Sequence, residues 1–249
     1  MHGTRIADAY TIVPVESDVF LVQGTHVNWT ILTEGSAMTL VDTGYPGDAD
    51  AVLASLADVS RRTGARDLEA ILLTHGHTDH IGGLGRVLAA MPQPPRVLCS
   101  PLEVGHVRRD YVQQVTLGQA LRHAYDPRVL GWLLAAVRHG GLEEVGFPNV
   151  GEFRLDAVLD VPGRPTSLGT AGHTTGHTSF SLERAAVLVT GDALITGHAT
   201  SREAGPQVLH DMFNADADAT RLSFERLVAW PRPVRYVPGH GPMATSRYS

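Results

Sequence analysis

Short runs that alternate between apolar and polar residues dominate the beginning of the chain. They cover residues 10–15, 19–23, 29–33 and 38–42, and turns that often contain glycine separate them. Alternation with a period of two is typical of half-buried β-strands. The pattern therefore predicts a strand meander at the start of the fold.

The chain then passes to helical and strand-like patterns in turn. Residues 48–63 carry apolar side chains at helical spacing, and Gly64 follows as a helix stop signal. Short apolar runs bounded by turn residues predict further elements, namely a strand at 68–73, a helix at 84–91 and a strand at 96–100. This succession of strands and helices favours an α/β (α+β) fold.

The segment 102–141 is mostly helical in pattern. Val129, Leu130, Leu133 and Leu134 recur at helical spacing, which predicts a pair of inserted helices. Because no long linker or low-complexity run divides the chain, we expect one domain over residues 1–249. Residues 102–141 would then form a helical insertion or lid within it.

Strand patterns resume after this segment, together with one more helix. The helix is predicted at about 216–230, where Asn214 or Asp216 can supply the N-cap oxygen. The strands are predicted at 152–155, 165–169, 178–183, 186–190 and 234–237.

Composition narrows the possible functions without identifying one. The 249 residues are 43% apolar and 18% charged, which suffices for a sizeable core. All 20 basic residues are arginine, so Schiff-base chemistry and a phosphate-loop lysine are excluded. The net charge of −6 gives no overall attraction to nucleic acid or to an anionic membrane, and we expect neither as a partner.

Cysteine content and the first residues bear on the compartment. Cys99 is the only cysteine, which excludes an internal disulfide and a thiolate-rich metal site and fits a reducing compartment. Residues 1–6 contain no apolar core of a signal peptide, and no apolar run in the chain approaches the length of a membrane span. We therefore expect a cytoplasmic protein.

The densest chemistry lies in the segment THGHTDH, which directly follows the strand predicted at 68–73. It contains His75, His77, Asp79 and His80. Imidazole nitrogen and carboxylate oxygen are common ligands of zinc, iron and manganese. One histidine on a turn is usually an ordinary solvated side chain, but four potential ligands at this spacing predict a metal site at the end of the strand.

Four other places combine histidine or aspartate with a glycine-rich turn at the end of a predicted strand. Each turn taken singly is more often plain turn chemistry. Together they form a pattern, because such corners can direct side chains into a common edge site. The candidates are Asp42, His173, His177, Asp192 and His240.

This ordered set of residues resembles the metallo-β-lactamase-fold hydrolase superfamily along nearly the whole chain. The resemblance implies a four-layer αβ/βα sandwich, in which two mixed sheets pack face to face with helices outside. Within the superfamily, the chain is similar to the glyoxalase II-like and thioesterase-like branch. It differs in that only nine residues follow His240, where glyoxalase II adds a C-terminal helical region.

The resemblance further implies a binuclear site that holds two divalent ions, with zinc expected and iron or manganese as alternatives. Asp42 is expected to orient a ligand histidine through a hydrogen bond, and His177 to support the site without binding metal. The implied ligands are His75, His77 and His173 for the first ion, Asp79, His80 and His240 for the second, and Asp192 as the bridge.

Such a centre implies hydrolysis of an ester, thioester or lactone bond. Two divalent ions that share a water lower its pKa from about 15.7 toward about 7, which supplies a bridging hydroxide at neutral pH. Asp79 would orient this hydroxide and pass a proton to the leaving group, so it is the expected catalytic side chain.

Other branches of the superfamily provide the alternatives. A mononuclear-iron persulfide (sulfur) dioxygenase keeps the same HxHxDH pattern and stays open as an oxidoreductase. Flavodiiron proteins carry Glu at the position of His77, and classical β-lactamases have no bridging carboxylate at the position of Asp192, so both are disfavoured. Acyl-homoserine lactonases typically have Tyr where this chain has Ile195.

Candidate substrate contacts come from the segment 102–141, the loop after Asp192 and the first hairpin. A mostly apolar lid with a few arginines favours a small acyl or thioester substrate with an anionic end. The apolar helices also suit a homodimer interface. The candidate side chains are Trp29, Trp132, His198, Arg202, His210 and Phe213.

Overall fold

The computed structural model describes residues 10–246 as a mixed α/β structure with two β-sheets. The expectation drawn from residues 1–6 lies outside the described part of the chain. Within residues 10–246, no helix combines the length and the apolar character that a membrane crossing requires.

The first sheet has seven strands in sequence order. Strands β1 to β4 are antiparallel neighbours and form the meander predicted from the sequence. Strands β4 to β7 run parallel to one another. The strands are β1 (Thr11–Glu16), β2 (Val19–Gln23), β3 (Asn28–Glu34), β4 (Ala37–Val41), β5 (Asp67–Leu72), β6 (Arg96–Cys99) and β7 (Gly151–Glu152).

The second sheet has five strands in the order β12-β11-β10-β9-β8. Strands β10 and β11 are parallel, and the other neighbours are antiparallel. The strands are β8 (Thr166–Gly169), β9 (Thr178–Leu182), β10 (Val187–Gly191), β11 (Arg235–Pro238) and β12 (Ala244–Thr245).

Within residues 10–246, seven α-helices accompany the sheets. The first ends at Gly64, whose φ of 83° is a left-handed conformation that glycine adopts without strain. The last begins after Asp216, whose side chain accepts the Ala219 N–H. The helices are α1 (Ala49–Thr63), α2 (Thr78–Ile81), α3 (Leu84–Ala90), α4 (Val104–Arg108), α5 (Leu117–Arg122), α6 (Pro127–Arg138) and α7 (Ala217–Val228).

Alternation along the strands divides the apolar side chains among the layers. On β2, Leu21 belongs to the core between the two sheets, whereas Phe20 packs toward α1 on the outer side. On the second sheet, Val189 faces the first sheet, and Leu188 packs with Leu227 of α7. The order of layers is therefore helix, sheet, sheet, helix, as the resemblance implies.

The segment 102–141 contains three helices rather than the predicted pair, because the short α4 precedes α5 and α6. The strand predicted at 152–155 is limited to Gly151–Glu152. Strand β12 was not predicted, since two residues carry no periodic signal. These differences leave the positions of the predicted ligands unchanged.

The connectivity brings the predicted ligand turns to one edge of the sandwich. Parallel strands β4 and β5 end at Asp42 and at the HxHxDH segment, and parallel strands β10 and β11 end at Asp192 and near His240. The turn between β8 and β9 carries His173 and returns beside the end of β10. Five separate corners of the chain therefore meet at this edge.

Candidate metal centre

Asp42 holds the HxHxDH loop where it leaves β5. Its carboxylate accepts hydrogen bonds from the backbone N–H and the hydroxyl of Thr74, at 2.8 and 2.7 Å, and from Nδ1 of His80 at 2.8 Å. Asp42 has a φ of 63°, a conformation that costs a residue with a side chain about 1–3 kcal/mol. The three hydrogen bonds offset that strain and fix the start of the loop.

Three groups of donor atoms converge beside this loop. Within each group the donor atoms all lie within 4.8 Å of one another, and shared histidines join the groups into one cluster. All of the side chains implied as ligands belong to it. The groups are His75 with His77 and His173, His75 with His80 and Asp192, and Asp79 with His80 and His240.

The contact between His77 and His173 tests whether a cation fits the cluster. His77 donates its Nε2–H to the carbonyl of Gln113, and His173 donates its Nδ1–H to Oδ1 of Asn214 at 3.0 Å. The remaining ring nitrogens, Nδ1 of His77 and Nε2 of His173, are 3.0 Å apart and present lone pairs to each other. Two facing acceptors without a proton repel, and a shared metal ion would satisfy both.

Three buried polar atoms in the same cluster give a second test. Nε2 of His75, Nε2 of His80 and Oδ1 of Asp192 have no hydrogen-bond partner among residues 10–246. Orphaned buried polar atoms are rare in folded proteins. Their concentration between two loops fits a divalent metal centre built from nitrogen and oxygen ligands.

The charges of the cluster explain its pKa shifts in the absence of metal. Burial opposes a charge on His80 and on His240, but facing carboxylates raise the pKa of His80 well above its usual value and that of His240 to about 10. Burial lowers the pKa of His75 and of His77. His240 and His80 hold the pKa of Asp192 well below its usual value, although burial alone would raise it. The carboxylates thus make the edge attractive to cations.

His177 supports Asp192 rather than joining the donor groups. Its Nε2 accepts the backbone N–H of Asp192 at 3.0 Å, so its proton is on Nδ1, which contacts the Thr170 hydroxyl at 2.9 Å. Burial lowers the pKa of His177 to about 3. The neutral ring therefore positions the backbone that carries Asp192.

A cavity opens on the cluster at Asp79, Asp192 and His240. Residues of the segment 102–141 line its other side, together with the loop that follows Asp192. Of the predicted substrate contacts, Trp132, His198 and Phe213 line this cavity. Its apolar wall consists of Val115, Leu117, Ala120, Trp132, Leu133, Ala136, Val137, Leu142, Leu209 and Phe213.

Three predicted substrate contacts lie elsewhere. Trp29 is 1% exposed and packs in the outer core, where its Nε1–H is donated to Ser55 of α1. His210 is exposed and accepts the Met212 N–H, and Arg202 is exposed in the loop after Asp192. Neither Trp29 nor these two side chains line the cavity, because hydrophobic packing and loop geometry turn them away from it.

Replacement of Trp29 by Phe is expected to reduce stability without changing substrate binding. The smaller ring leaves a cavity in the outer core, at a cost of about 2 kcal/mol. Urea denaturation measures this loss, and the Michaelis constant for any substrate turned over is expected to stay the same. A raised Michaelis constant at unchanged stability would instead place Trp29 at the substrate.

The arginines of the segment 102–141 do not supply the anionic subsite expected from the sequence. Arg108 donates to the carbonyl of Val150, and Arg109 donates to the carbonyls of Gly76 and Val145. No arginine among residues 10–246 lines the cavity. These arginines stabilise loops, and outside the donor cluster the cavity lining is mostly apolar, with the polar side chains of Tyr45, Gln114, Thr116 and His198.

Sequence reasoning missed two supports of the cluster. The carbonyl of Gln113 orients His77, and the side-chain oxygen of Asn214 orients His173. Asn214 was considered only as a helix cap. No sequence pattern marks a backbone carbonyl as a ligand support, so only the fold reveals Gln113.

The layered fold carries a cluster of potential metal ligands at its edge. The family model described as the Metallo-beta-lactamase superfamily matches residues 22–240. The chain belongs to this superfamily.

Two of the individual relatives share 31% and 25% sequence identity with this chain. The hydroxyacylglutathione hydrolase of Alkalilimnicola ehrlichii is 31% identical over 195 residues, which cover 78% of this chain and 54% of that protein. The Beta-lactamase-like protein 2 homolog of Caenorhabditis elegans is 25% identical over 96% of this chain and 63% of its own length. The chain thus spans between 54% and 63% of these curated relatives.

A solved structure with a similar fold carries iron. The di-iron-bound form of TTHA1623 superposes with a TM-score of 0.57 at 25% identity, covering 90% of this chain and 92% of that one. The likeness agrees with a divalent metal centre at the edge described here.

Proposed function

We propose that the protein is a binuclear metal-dependent hydrolase that cleaves an ester, thioester or lactone bond of a small acyl substrate. The observation that carries the proposal is the pair of donor groups around Asp192, which meet at the floor of an apolar cavity. His75, His77 and His173 would hold one ion, and Asp79, His80 and His240 the other. When bound, divalent ions supply Lewis acidity and a water nucleophile that ionises near neutral pH.

Asp79 is the carboxylate of the cluster best placed to meet a substrate. Its side chain is 18% exposed and lines the cavity, whereas that of Asp192 is 2% exposed. Burial alone would raise the pKa of Asp79, but His80 and His240 hold it below its usual range. An ionised Asp79 can orient a water, accept a proton from it as its oxygen attacks the carbonyl, and pass that proton to the leaving atom.

His198 offers a hydrogen-bond donor on the wall of the cavity. Its Nδ1 accepts the backbone N–H of Thr200 at 3.3 Å, and a backbone N–H can only donate. The ring proton therefore lies on Nε2, which has no partner among residues 10–246. The centroid of the His198 ring lies 5.0 Å from that of His240 and 5.3 Å from that of Phe213. Because His240 is a ligand candidate, we infer that His198 donates its Nε2–H to the substrate carbonyl.

The cavity also indicates the kind of acyl group. Leucine, valine, alanine and aromatic side chains dominate its wall, and no guanidinium of residues 10–246 lines it. A neutral, apolar acyl group fits these surroundings better than one with an anionic end. Hydroxyacylglutathione hydrolase relatives favour a thioester, but no arginine in the described part of the chain lines the wall to bind the carboxylates of a glutathione-like thiol.

The mononuclear-iron dioxygenase stays the second candidate because the HxHxDH pattern is common to both classes. The complete second group, Asp79 with His80 and His240, favours the dimetal hydrolase over it.

Elemental analysis together with a substrate panel tests the proposal. The purified protein is expected to contain two divalent ions per chain and to cleave neutral aryl esters, acyl-thioesters or lactones with apolar acyl groups. It should cleave them at least about tenfold faster than matched substrates with a carboxylate at the acyl terminus. One iron per chain, oxygen uptake with persulfides and no ester cleavage would instead establish the dioxygenase.

A further inference from the structure

Glu103 is a fully buried carboxylate that the proposed chemistry does not use. It lies one residue before α4 and is 0% exposed. One oxygen accepts the Gly76 N–H at 2.8 Å and Nδ1–H of His106 at 2.7 Å. The other accepts the Thr174 hydroxyl at 2.8 Å and the Gly176 N–H at 3.0 Å.

Three of these four donors come from the two loops that carry the first group of ligands, and the fourth, His106, lies in α4. Gly76 lies between His75 and His77, and Thr174 directly follows His173. The two loops belong to different sheets, and a backbone hydrogen bond from the Thr178 N–H to the Thr74 carbonyl, at 2.9 Å, joins them only outside the gap between the ligands. The Glu103 carboxylate spans that gap with one oxygen on each side.

A second route connects Glu103 to His77. Nε2 of His106 accepts the backbone N–H of Gln113 at 3.3 Å, which leaves the His106 proton on Nδ1 for Glu103. The carbonyl of the same Gln113 accepts Nε2–H of His77. Glu103 therefore also helps to hold the residue that orients this ligand.

Glycines permit this close approach. A Cβ on Gly76 would lie 2.9 Å from the ring of His106, and a Cβ on Gly176 would collide with the backbone of Glu103. Both positions exclude a side chain because Glu103 and α4 are wedged between the loops.

We propose that Glu103 is a positioning residue that clamps the two ligand loops at the spacing required by a metal ion bound to His75, His77 and His173. The inference rests on the ligand set of the proposed function but not on its substrate. A carboxylate suits the role because all four partners donate, and charge-assisted hydrogen bonds are stronger than neutral ones. The amide of glutamine accepts with one atom only, so its NH₂ group would face two donors.

Metal affinity of the protein tests the clamp directly. Glu103→Gln is expected to weaken zinc binding by about 10–100-fold in competition with a chromophoric chelator. It should also alter the visible absorption bands of the cobalt-substituted protein, because those bands report ligand geometry. Ser55→Ala, which removes the buried partner of Trp29 in the outer core, is the control for stability alone. It should lower the melting temperature but leave zinc affinity and the cobalt spectrum unchanged.

Thr174 supplies a milder pair of variants if Glu103→Gln does not fold. Thr174→Val removes one donor to the carboxylate and is expected to weaken zinc binding, whereas Thr174→Ser keeps the hydroxyl and should bind like the wild type. A Glu103→Gln protein, or a Thr174→Val protein, with wild-type zinc affinity and cobalt spectrum would overturn the clamp. Failure of the wild-type protein to bind metal would instead overturn the proposed function.

Discussion

Replacement of Asp192 by Asn is expected to remove both metal binding and turnover. The carboxylate oxygens of Asp192 lie 3.5 Å from Nε2 of His80, 3.4 Å from Nε2 of His173 and 3.3 Å from Nε2 of His240. An amide of the same shape keeps the packing but loses the negative charge at the centre of the cluster. We expect less than one ion per chain and a fall in kcat/KM of about 10³-fold or more, since metal ions contribute several kcal/mol to such reactions.

Asp58→Asn, on the outer helix α1, is the matched control and should keep both metal content and kcat/KM. Metal content is measured by elemental analysis, and turnover with the best substrate of the panel. An Asp192→Asn protein that retains two ions and wild-type turnover would exclude Asp192 as the bridge.

Loss of the His198 donor is expected to produce the second largest effect. His198→Phe keeps the aromatic contacts with Trp132 and Phe213 but removes Nε2–H from the cavity. If that group donates to the developing oxyanion, kcat falls by about 100-fold while the Michaelis constant changes little. Metal content should stay at the wild-type value.

His198→Gln separates hydrogen bonding from packing. The glutamine amide can restore a donor near the position of Nε2, so kcat is expected to recover to within about tenfold of the wild type. Equal activity of the Phe variant and the wild-type protein would assign His198 to packing alone. A Phe variant that has lost metal would show that His198 acts through His240.

Most of the fold could be predicted from local patterns. The period-two runs of β2, β3 and β4 appear as strands within one or two residues of the predicted limits, and α1 ends at Gly64 as predicted. These features depend on neighbouring residues, so local sequence contains their cause. The exceptions are short elements such as α4 and β12, whose stability comes from contacts distant in sequence.

The candidate site, like the fold, could be predicted only in part from the sequence. Ligand candidates in the turns at Asp42, His75 and Asp192 were visible as motifs, and the structure brings them together at one edge. The roles of single side chains were less accessible. Trp29 was considered a substrate contact but packs in the core. Arg109, one of the arginines expected near an anionic substrate, donates a hydrogen bond to the Gly76 carbonyl of the HxHxDH loop. An aromatic or arginine in a sequence carries no sign of the direction in which it points.

The sequence by itself predicted the succession of strands and helices and the metal-ligand candidates, because periodicity and motif spacing are local properties. The layered sandwich was implied only by the family resemblance that those residues carry. Tertiary structure alone decided that the cavity lining is mostly apolar, that His198 belongs to that lining, and that Glu103 joins the two ligand loops. Each of these features arises where segments distant along the chain meet, and their hydrogen bonds are set by the packing of one sheet against the other.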